Sequence, residues 1–124
     1  MRVLVVEDEL LIRWSIAETL AHAGHTVLEA ENGAGAIATL SAATESAEPI
    51  DAVLLDYRLP DSNDLSLLAN IRRLSQSPVI LMTAYGTPEV AQGALELGAY
   101  RVISKPFGMQ DAAALVSEAH AATL

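Results

Sequence analysis

Short runs of apolar residues recur along the chain, and longer segments with a helical spacing of apolar positions separate them. Each run holds four to six residues and is rich in Val, Leu and Ile. Runs of this kind are typical of strands that are buried on both faces of a sheet. They predict five strands, at Arg2–Val6, His25–Ala30, Ile50–Leu55, Val79–Met82 and Arg101–Ser104, the last beginning at Tyr100 or Arg101.

The segments between these runs predict helices. In the first segment, Ile12, Ile16 and Leu20 recur at intervals of four, which places them on one stripe facing the core. Gly24 ends the first helix and Gly98 ends the fourth, because glycine readily adopts the left-handed conformation found after a helix C-terminus. The predicted helices span about Glu9–His22, Ala34–Ala43, the segment after Asp64 with Leu67, Leu68, Ile71 and Leu74 facing inward, Pro88–Leu97 and Met109–Thr123.

The alternation of five strands with five helices defines the expected fold. It predicts a doubly wound α/β domain, in which helices cover both faces of a parallel five-stranded sheet. The 124 residues are enough for one domain with a substantial core, and no linker or repeat divides them. We therefore expect a single domain over residues 1–124.

Composition narrows the functional class. Hydrophobic residues make up 52% of the chain and charged residues 19%, which is typical of a globular protein. The formal net charge of −9 disfavours direct binding of nucleic acid, whose phosphates attract basic surfaces. The absence of cysteine excludes a disulfide framework and fits a cytoplasmic protein. No membrane span is expected, because no apolar stretch approaches the required length of about 20 residues.

Charged and polar residues follow four of the five predicted strands. Glu7 and Asp8 follow the first strand, Asp56 ends the third, Thr83 follows the fourth and Lys105 follows the fifth. The carboxyl ends of parallel strands lie at one edge of the sheet, where α/β proteins bind ligands. In the flavodoxin-like strand order 2-1-3-4-5 the first and third strands are neighbours, so the three carboxylates converge there.

Each of these residues taken singly has an ordinary structural interpretation, as a helix cap, a turn residue, a loop hydroxyl or a solvated charge. Their conjunction at one edge favours a functional site. Two unit charges about 4 Å apart repel by roughly 4 kcal/mol at an effective dielectric constant of 20, so clustered carboxylates require a cation. A few hard oxygen ligands suit Mg²⁺, which keeps several waters and accepts a phosphate oxygen.

The same cluster has the groups needed for phosphoryl transfer. A carboxylate such as Asp56 can act as a nucleophile and form an aspartyl-phosphate. Lys105 supplies a second cation, and the Thr83 hydroxyl supplies a donor for a phosphoryl oxygen. Ala84 is small and leaves space above the acceptor. The pattern therefore indicates a metal-assisted phosphoryl acceptor.

With these residues in place, the chain resembles the receiver domain of bacterial two-component response regulators over its whole length. The resemblance implies that Asp56 accepts a phosphoryl group from a sensor histidine kinase or a phosphotransfer protein. It also implies a signalling domain rather than an enzyme, with slow autophosphorylation and autodephosphorylation chemistry of its own. The motifs that carry it are Val5-Val6-Glu7-Asp8-Glu9, Leu54-Leu55-Asp56-Tyr57-Arg58-Leu59-Pro60, Met82-Thr83-Ala84, Gly98-Ala99 and Lys105-Pro106-Phe107.

The resemblance further implies a role for each site residue. Asp8 and Asp56 would bind Mg²⁺ (or Mn²⁺) directly, with the Arg58 main-chain carbonyl as a third protein ligand and Glu7 acting largely through water. Thr83 and Lys105 would contact the phosphoryl group. Arg58 and Tyr85, which follow Asp56 and Thr83 by two residues, are predicted to set the lifetime of the phosphate.

The sequence leaves the wider assembly open. A covalently linked output domain outside this chain, such as a regulator of transcription, and a homodimer are both compatible with the resemblance. The short match Ile12-Arg13-Trp14 resembles receivers attached to σ54-dependent transcription activators.

The chain departs from the family pattern in three places. Val102 stands where the family usually has an aromatic residue, three positions before the lysine, and Tyr100 is expected on the same face of the strand because side chains alternate. The coupling from acceptor to surface that uses this aromatic residue is therefore in question. Asp64 replaces a common glycine, and the connection 44–49 is longer than usual.

Three alternatives belong to other functional classes. A receiver-like module that binds partners without phosphorylation is the main one, and Val102 leaves room for it. A flavin-binding protein would need a phosphate loop after the first strand, where Glu7-Asp8-Glu9 instead repels phosphate. A phosphatase with an aspartyl-phosphate intermediate usually has a second Asp two positions after the first, where this chain has Arg58.

Overall fold

The computed structural model describes residues 1–84 and 86–123, and within them five parallel strands alternate with five helices. The sheet has the order β2-β1-β3-β4-β5, which confirms the predicted doubly wound α/β fold. The strands are β1 (Arg2–Val6), β2 (Thr26–Ala30), β3 (Ala52–Asp56), β4 (Val79–Thr83) and β5 (Arg101–Ser104). The helices are α1 (Leu10–His22), α2 (Gly33–Glu45), α3 (Ser66–Leu74), α4 (Pro88–Glu96) and α5 (Met109–Ala122).

Alternating side chains of the strands build one apolar core on each face of the sheet. On one face, Val5 and Met82 pack with Ile16 of α1 and Val116 of α5. On the other face, strand residues such as Leu55 pack against helices α2, α3 and α4. Because both faces are covered, the central strands β1, β3 and β4 are almost entirely apolar, as a buried parallel sheet requires, whereas the edge strands β2 and β5 include polar residues.

The register of the sheet brings the carboxyl ends of the strands to one edge. Val6 is level with Leu55, and Asp56 is level with Met82 on β4. Successive strands are added to one side of β1 for β2 and to the other side for β3, and this reversal of the winding opens a crevice at the carboxyl ends of β1 and β3. Every strand-end residue singled out in the sequence therefore faces the same region of the molecule.

Several predicted boundaries differ from the structure. Helix α2 continues to Glu45, two residues past its predicted end, and Ala47 then turns the chain with a φ of 57°. Strand β3 starts at Ala52 rather than Ile50 and includes Asp56. The prediction that Leu74 faces inward is wrong, because it is 44% exposed at the end of α3, beyond the edge of the core.

Tyr100 does not lie on the same face of the sheet as Val102. Val102 packs with the core under α2, α3 and α4, whereas Tyr100 packs with the core on the α1 and α5 side. Alternation predicts a shared face only within a strand, and Tyr100 precedes the first residue of β5. Its ring lies beside Arg101, whose guanidinium carbon is 5.4 Å from the ring centroid.

Candidate functional site

The carboxyl edge of the sheet holds a cavity of about 210 Å³. It opens between the ends of β1, β3 and β4 and the segment after β5, so four separate stretches of the chain contribute to its wall. All of the residues predicted for the site line it, namely Glu7, Asp8, Asp56, Arg58, Thr83 and Lys105. Tyr85 lies outside the described residues, so its predicted role stays a prediction.

Three carboxylates converge at this cavity, as the strand order predicted. Glu7, Asp8 and Asp56 each place an oxygen within 4.8 Å of the other two. Glu7 and Asp56 are buried, and Asp8 is exposed. The exposed carboxylate thus lies at the mouth of the cavity and the buried pair forms its floor.

Lys105 joins the two buried carboxylates. Its Nζ lies 2.5 Å from Oε1 of Glu7 and 3.2 Å from Oδ1 of Asp56. The backbone places it there, because the Lys105 N–H donates to the Thr83 carbonyl at 2.8 Å. The peptide bond that follows, from Lys105 to Pro106, is cis. The lysine is therefore anchored to β4 next to the strand-end hydroxyl of Thr83.

Burial raises the pKa of Asp56 to about 7, and its hydrogen bond and charge repulsion with Glu7 add to this effect. Burial also opposes ionisation of Glu7, but hydrogen bonds from Lys105 and Asp56 outweigh it, so the pKa of Glu7 is lowered. The pKa of Lys105 is raised by the same two carboxylates, although burial works against its charge. Of the two buried carboxyl groups, Asp56 is therefore the one whose ionisation is disfavoured.

The donor set fits a divalent cation. All three side chains offer carboxylate oxygens, the hard ligands that Mg²⁺ and Mn²⁺ prefer. The three carboxyl groups face one ammonium, that of Lys105, so the cluster has negative charge left for a cation to neutralise. Arg58 lines the same cavity, and the role of its main-chain carbonyl as a ligand stays a prediction.

The segment after Asp56 is held at both ends. The Tyr57 N–H donates to the Met82 carbonyl at 2.8 Å, which continues the pairing of β3 with β4. Leu59 and Ser62 form a two-residue bridge through their backbones. The Asp61 carboxylate then accepts from two N–H groups at the start of α2, those of Gly33 at 2.7 Å and Ala34 at 3.0 Å. Those backbone bonds lower the pKa of Asp61.

Sequence reasoning did not identify Arg13, which contacts the backbone of the carboxylate cluster. Its Nη1 donates to the Glu7 carbonyl at 2.8 Å, and its Nε donates to Glu29 of β2 at 3.1 Å. The available signal was an arginine one turn into α1, beside the apolar stripe that begins at Ile12. A bond to a backbone carbonyl leaves no trace in the residue types, so the sequence did not reveal its target.

Comparison with known proteins agrees with the fold. The sequence pattern of the response regulator receiver domain matches residues 3–117, so the chain belongs to this family. It is 39% identical over 118 residues to the DNA-binding transcriptional regulator NtrC of Escherichia coli (strain K12), which covers 94% of this chain and 24% of that protein. It is 38% identical over 109 residues to the transcriptional regulatory protein KdpE of Mycobacterium tuberculosis (strain ATCC 25618 / H37Rv), with 88% of this chain and 46% of that protein covered.

Solved structures show the same architecture. The receiver domain of NtrX from Brucella abortus superimposes with a TM-score of 0.81 at 34% identity, covering 98% of this chain and 99% of that one. A CheY-like receiver domain protein from Methanospirillum hungatei JF-1 gives a TM-score of 0.87 at 26% identity, covering 98% and 94%.

The family defines the general function of the domain. Receiver domains of two-component response regulators switch on phosphorylation, and they bind Mg²⁺ at an acidic pocket. The chain spans about a quarter of the length of its NtrC relatives and about half that of KdpE. Among the helices within residues 1–84 and 86–123, none has the length and apolar character needed to cross a membrane.

Proposed function

We propose that this receiver domain accepts a phosphoryl group on Asp56 from the phosphohistidine of a sensor histidine kinase or a phosphotransfer protein, in a reaction that depends on Mg²⁺ or Mn²⁺. The observation that carries the proposal is a buried strand-end carboxylate 3.2 Å from the ammonium of Lys105, beside two further carboxylates and an open cavity. Such a site combines a nucleophile with the charge neutralisation that phosphoryl transfer requires.

The cation would be held by Glu7, Asp8 and Asp56 together with the main-chain carbonyl of Arg58. When bound, it neutralises the carboxylates and the incoming phosphoryl oxygens. It also favours the ionised form of Asp56, whose pKa of about 7 would otherwise leave much of the nucleophile protonated at neutral pH.

In the transfer step, an oxygen of the Asp56 carboxylate attacks phosphorus while the bond from phosphorus to the imidazole nitrogen of the donor breaks. The electron pair of that bond returns to the imidazole, and the product is an acyl phosphate. The Lys105 ammonium balances charge on the transferred group, and the Thr83 hydroxyl donates to a phosphoryl oxygen. Hydrolysis of the acyl phosphate by water later returns the free carboxylate.

Phosphorylation adds charge and strong acceptor oxygens at the ends of β3, β4 and β5. Movement of Thr83 and Lys105 toward them would shift the segment that leads into α4. That helix is a weak element, because glycine in a helix interior is destabilising and Gly93 lies there. A Cβ at this position would come within 2.9 Å of Leu65 Cδ1, so the site is crowded for a larger residue. We place the response of the domain at α4, through which it would act on a partner, a second copy of the chain or a linked output domain such as those of the transcriptional regulators above.

The test is phosphorylation by acetyl phosphate with Mg²⁺, followed by intact mass. The wild-type domain should gain one phosphoryl group, and Asp56→Asn should gain none because its amide is not a nucleophile. Asp111→Asn, which removes an exposed carboxylate in the first turn of α5, serves as the matched control and should react like the wild type. No gain in the wild type, or equal gain in Asp56→Asn, would reject Asp56 as the acceptor.

Val102 supports a second candidate, a receiver module that binds its partner without phosphorylation. Val102 packs against the core but lacks the bulky aromatic side chain that, in the family, usually moves together with the threonine at the position of Thr83. Hydrogen exchange of α4 and β5 before and after phosphorylation separates the two candidates. A change in exchange supports the switch, and unchanged exchange in a fully phosphorylated sample supports the phosphorylation-independent module.

A further inference from the structure

Arg13 bridges two elements beside the carboxylate cluster without touching any of its three carboxylates. Its side chain is only 13% exposed, which is unusual for an arginine. The guanidinium donates through Nη1 to the Glu7 carbonyl at 2.8 Å and through Nε to the Glu29 carboxylate at 3.1 Å. Two hydrogen bonds in different directions fix the plane of the guanidinium, and Glu29 orients it from β2.

The carbonyl that Arg13 holds belongs to the peptide joining Glu7 to Asp8. The N–H of Glu7 donates to the Ala30 carbonyl at 3.0 Å, so Glu7 is tied to β2 on one side and to α1 on the other. The turn is closed further by the Glu9 N–H, which donates to Oε2 of Glu7 at 3.2 Å. The turn Glu7–Glu9 is thus fixed by two bonds to the backbone of Glu7 and by one bond to the Glu7 carboxylate.

Asp8 depends on this backbone more than its neighbours do. Glu7 and Asp56 are buried and paired with Lys105, which restrains their carboxylates directly. Asp8 is exposed, and within the part of the chain that the structure describes no donor to its carboxylate is seen. The peptide plane that Arg13 holds therefore fixes the point and direction at which the Asp8 side chain leaves the backbone.

We propose that Arg13 is a positioning residue for the cation site: it holds the Glu7 carbonyl, thereby places the Asp8 carboxylate, and so sets the affinity of the site for Mg²⁺. This inference rests on the proposed function of the cluster. Arg13 suits the role because its charge is constant over the physiological pH range and because it occupies no carboxylate oxygen that the cation needs. Lys105, in contrast, is bound to two of those oxygens.

The first test measures Mg²⁺ binding by isothermal titration calorimetry in three variants. Arg13→Met removes the donors but keeps an unbranched apolar side chain, and it should weaken binding about tenfold, as loss of an outer-shell partner typically does. Glu29→Gln breaks the ion pair but leaves the bond to the Glu7 carbonyl, and it should weaken binding less. Arg101→Met removes an equal charge from an exposed ion pair at the start of β5, and it should bind like the wild type.

Phosphorylation by acetyl phosphate then separates positioning from chemistry. In Arg13→Met the Mg²⁺ concentration for half-maximal rate should rise by the same factor as the dissociation constant. The rate at saturating Mg²⁺ should stay close to that of the wild type, since Asp56, Thr83 and Lys105 are intact. Arg13→Lys, which retains one donor, should restore part of the affinity.

A further readout needs no cation. Without Mg²⁺, hydrogen exchange at the Asp8 and Glu9 amides should be faster in Arg13→Met than in the wild type, while exchange in the centre of β3 should be unchanged. If Arg13→Met is too unstable to purify, Arg13→Lys is compared with Glu29→Gln instead. The first variant alters the bond to the Glu7 carbonyl, whereas the second alters only the ion pair.

Equal Mg²⁺ affinity in Arg13→Met and the wild type would overturn the inference, and so would an equal loss in Arg13→Met and Arg101→Met. An equal loss in Glu29→Gln and Arg13→Met would also overturn it, because the ion pair rather than the carbonyl bond would then matter. If the wild type itself neither binds Mg²⁺ nor takes up phosphate, the proposed function fails instead, so the two failures are distinct.

Discussion

The two ends of the β-sheet treat polar groups in opposite ways. At the carboxyl end, Glu7, Asp56 and Thr83 are buried, and within residues 1–84 and 86–123 they are the buried polar side chains. At the amino end, polar side chains instead form hydrogen bonds with backbone groups. Asp51 accepts from the Arg2 N–H at 2.7 Å, and the Ser77 hydroxyl donates to the Ile50 carbonyl.

The amino end of the sheet is therefore arranged for stability, whereas the carboxyl end has the features of a functional site. The hydrogen bonds at the amino end satisfy groups that folding would otherwise leave unpaired. The carboxyl end holds two carboxylates side by side, and the raised pKa of Asp56 measures how unfavourable its ionisation is there. Sites that violate the rules of a stable core in this way are typically functional.

The largest change in stability is expected from Lys105→Met, which leaves the buried carboxylates at the carboxyl end of the sheet without their ammonium partner. Breaking a buried ion pair should lower the free energy of unfolding by about 3 kcal/mol at pH 8. Urea denaturation measures the change, with Arg101→Met as the control because its ion pair with Glu118 is exposed. Similar losses in both variants would mean that burial does not distinguish the two ion pairs.

Asp56→Asn should change stability in the opposite direction. The folded protein keeps a proton on Asp56 up to pH about 7, whereas the ordinary pKa of the residue is 3.8. The contribution of Asp56 to stability therefore falls as pH rises between these values, since the folded state binds the extra proton. At pH 8 the variant should be more stable than the wild type by about 2 kcal/mol, given about 1.4 kcal/mol per pKa unit as the upper bound.

Thermal unfolding across the pH range tests this prediction. The stability curves of wild type and Asp56→Asn should converge near pH 4 and separate as the pH approaches 8. Curves that stay parallel over this range would show that Asp56 does not titrate with a raised pKa.

The smallest effect is expected at the amino end of the sheet. Asp51→Ala removes the acceptor of the Arg2 N–H and should cost about 1 kcal/mol, the usual contribution of one hydrogen bond. Phosphorylation by acetyl phosphate should be unchanged, because the substitution lies at the opposite end of β3. A slower reaction in a folded Asp51→Ala protein would show that the amino end of the sheet affects the chemistry at the carboxyl end.

The sequence predicted the fold well because the strand signal is strong. Runs such as Val79–Met82 are apolar at every position, so the assignment of strands did not depend on weak propensities. The strand order was instead implied by the resemblance to receiver domains. The ends of the helices were predicted less accurately, for physical reasons. The Ala- and Thr-rich end of α2 can continue as helix until Ala47 turns the chain, and Leu74 fits the helical period but lies past the end of the core.

The site was predictable to the extent that strand ends define it. Glu7, Asp56 and Lys105 meet because parallel strands share one edge, and that much follows from order alone. The contact of Arg13 with the Glu7 carbonyl was not predictable, since every residue offers the same carbonyl. The position of Tyr100 was wrong because alternation was extended beyond the first paired residue of β5.

The anchored segment after Asp56 has a consequence for how the chain can vary. Strand pairing fixes it at Tyr57 and the Asp61 carboxylate fixes it at the start of α2, so its contour length is set by two attachments. Side chains between these points can be exchanged without altering that length. An insertion or deletion there would either detach Asp61 or pull on β3, so this segment does not tolerate a change in the number of residues.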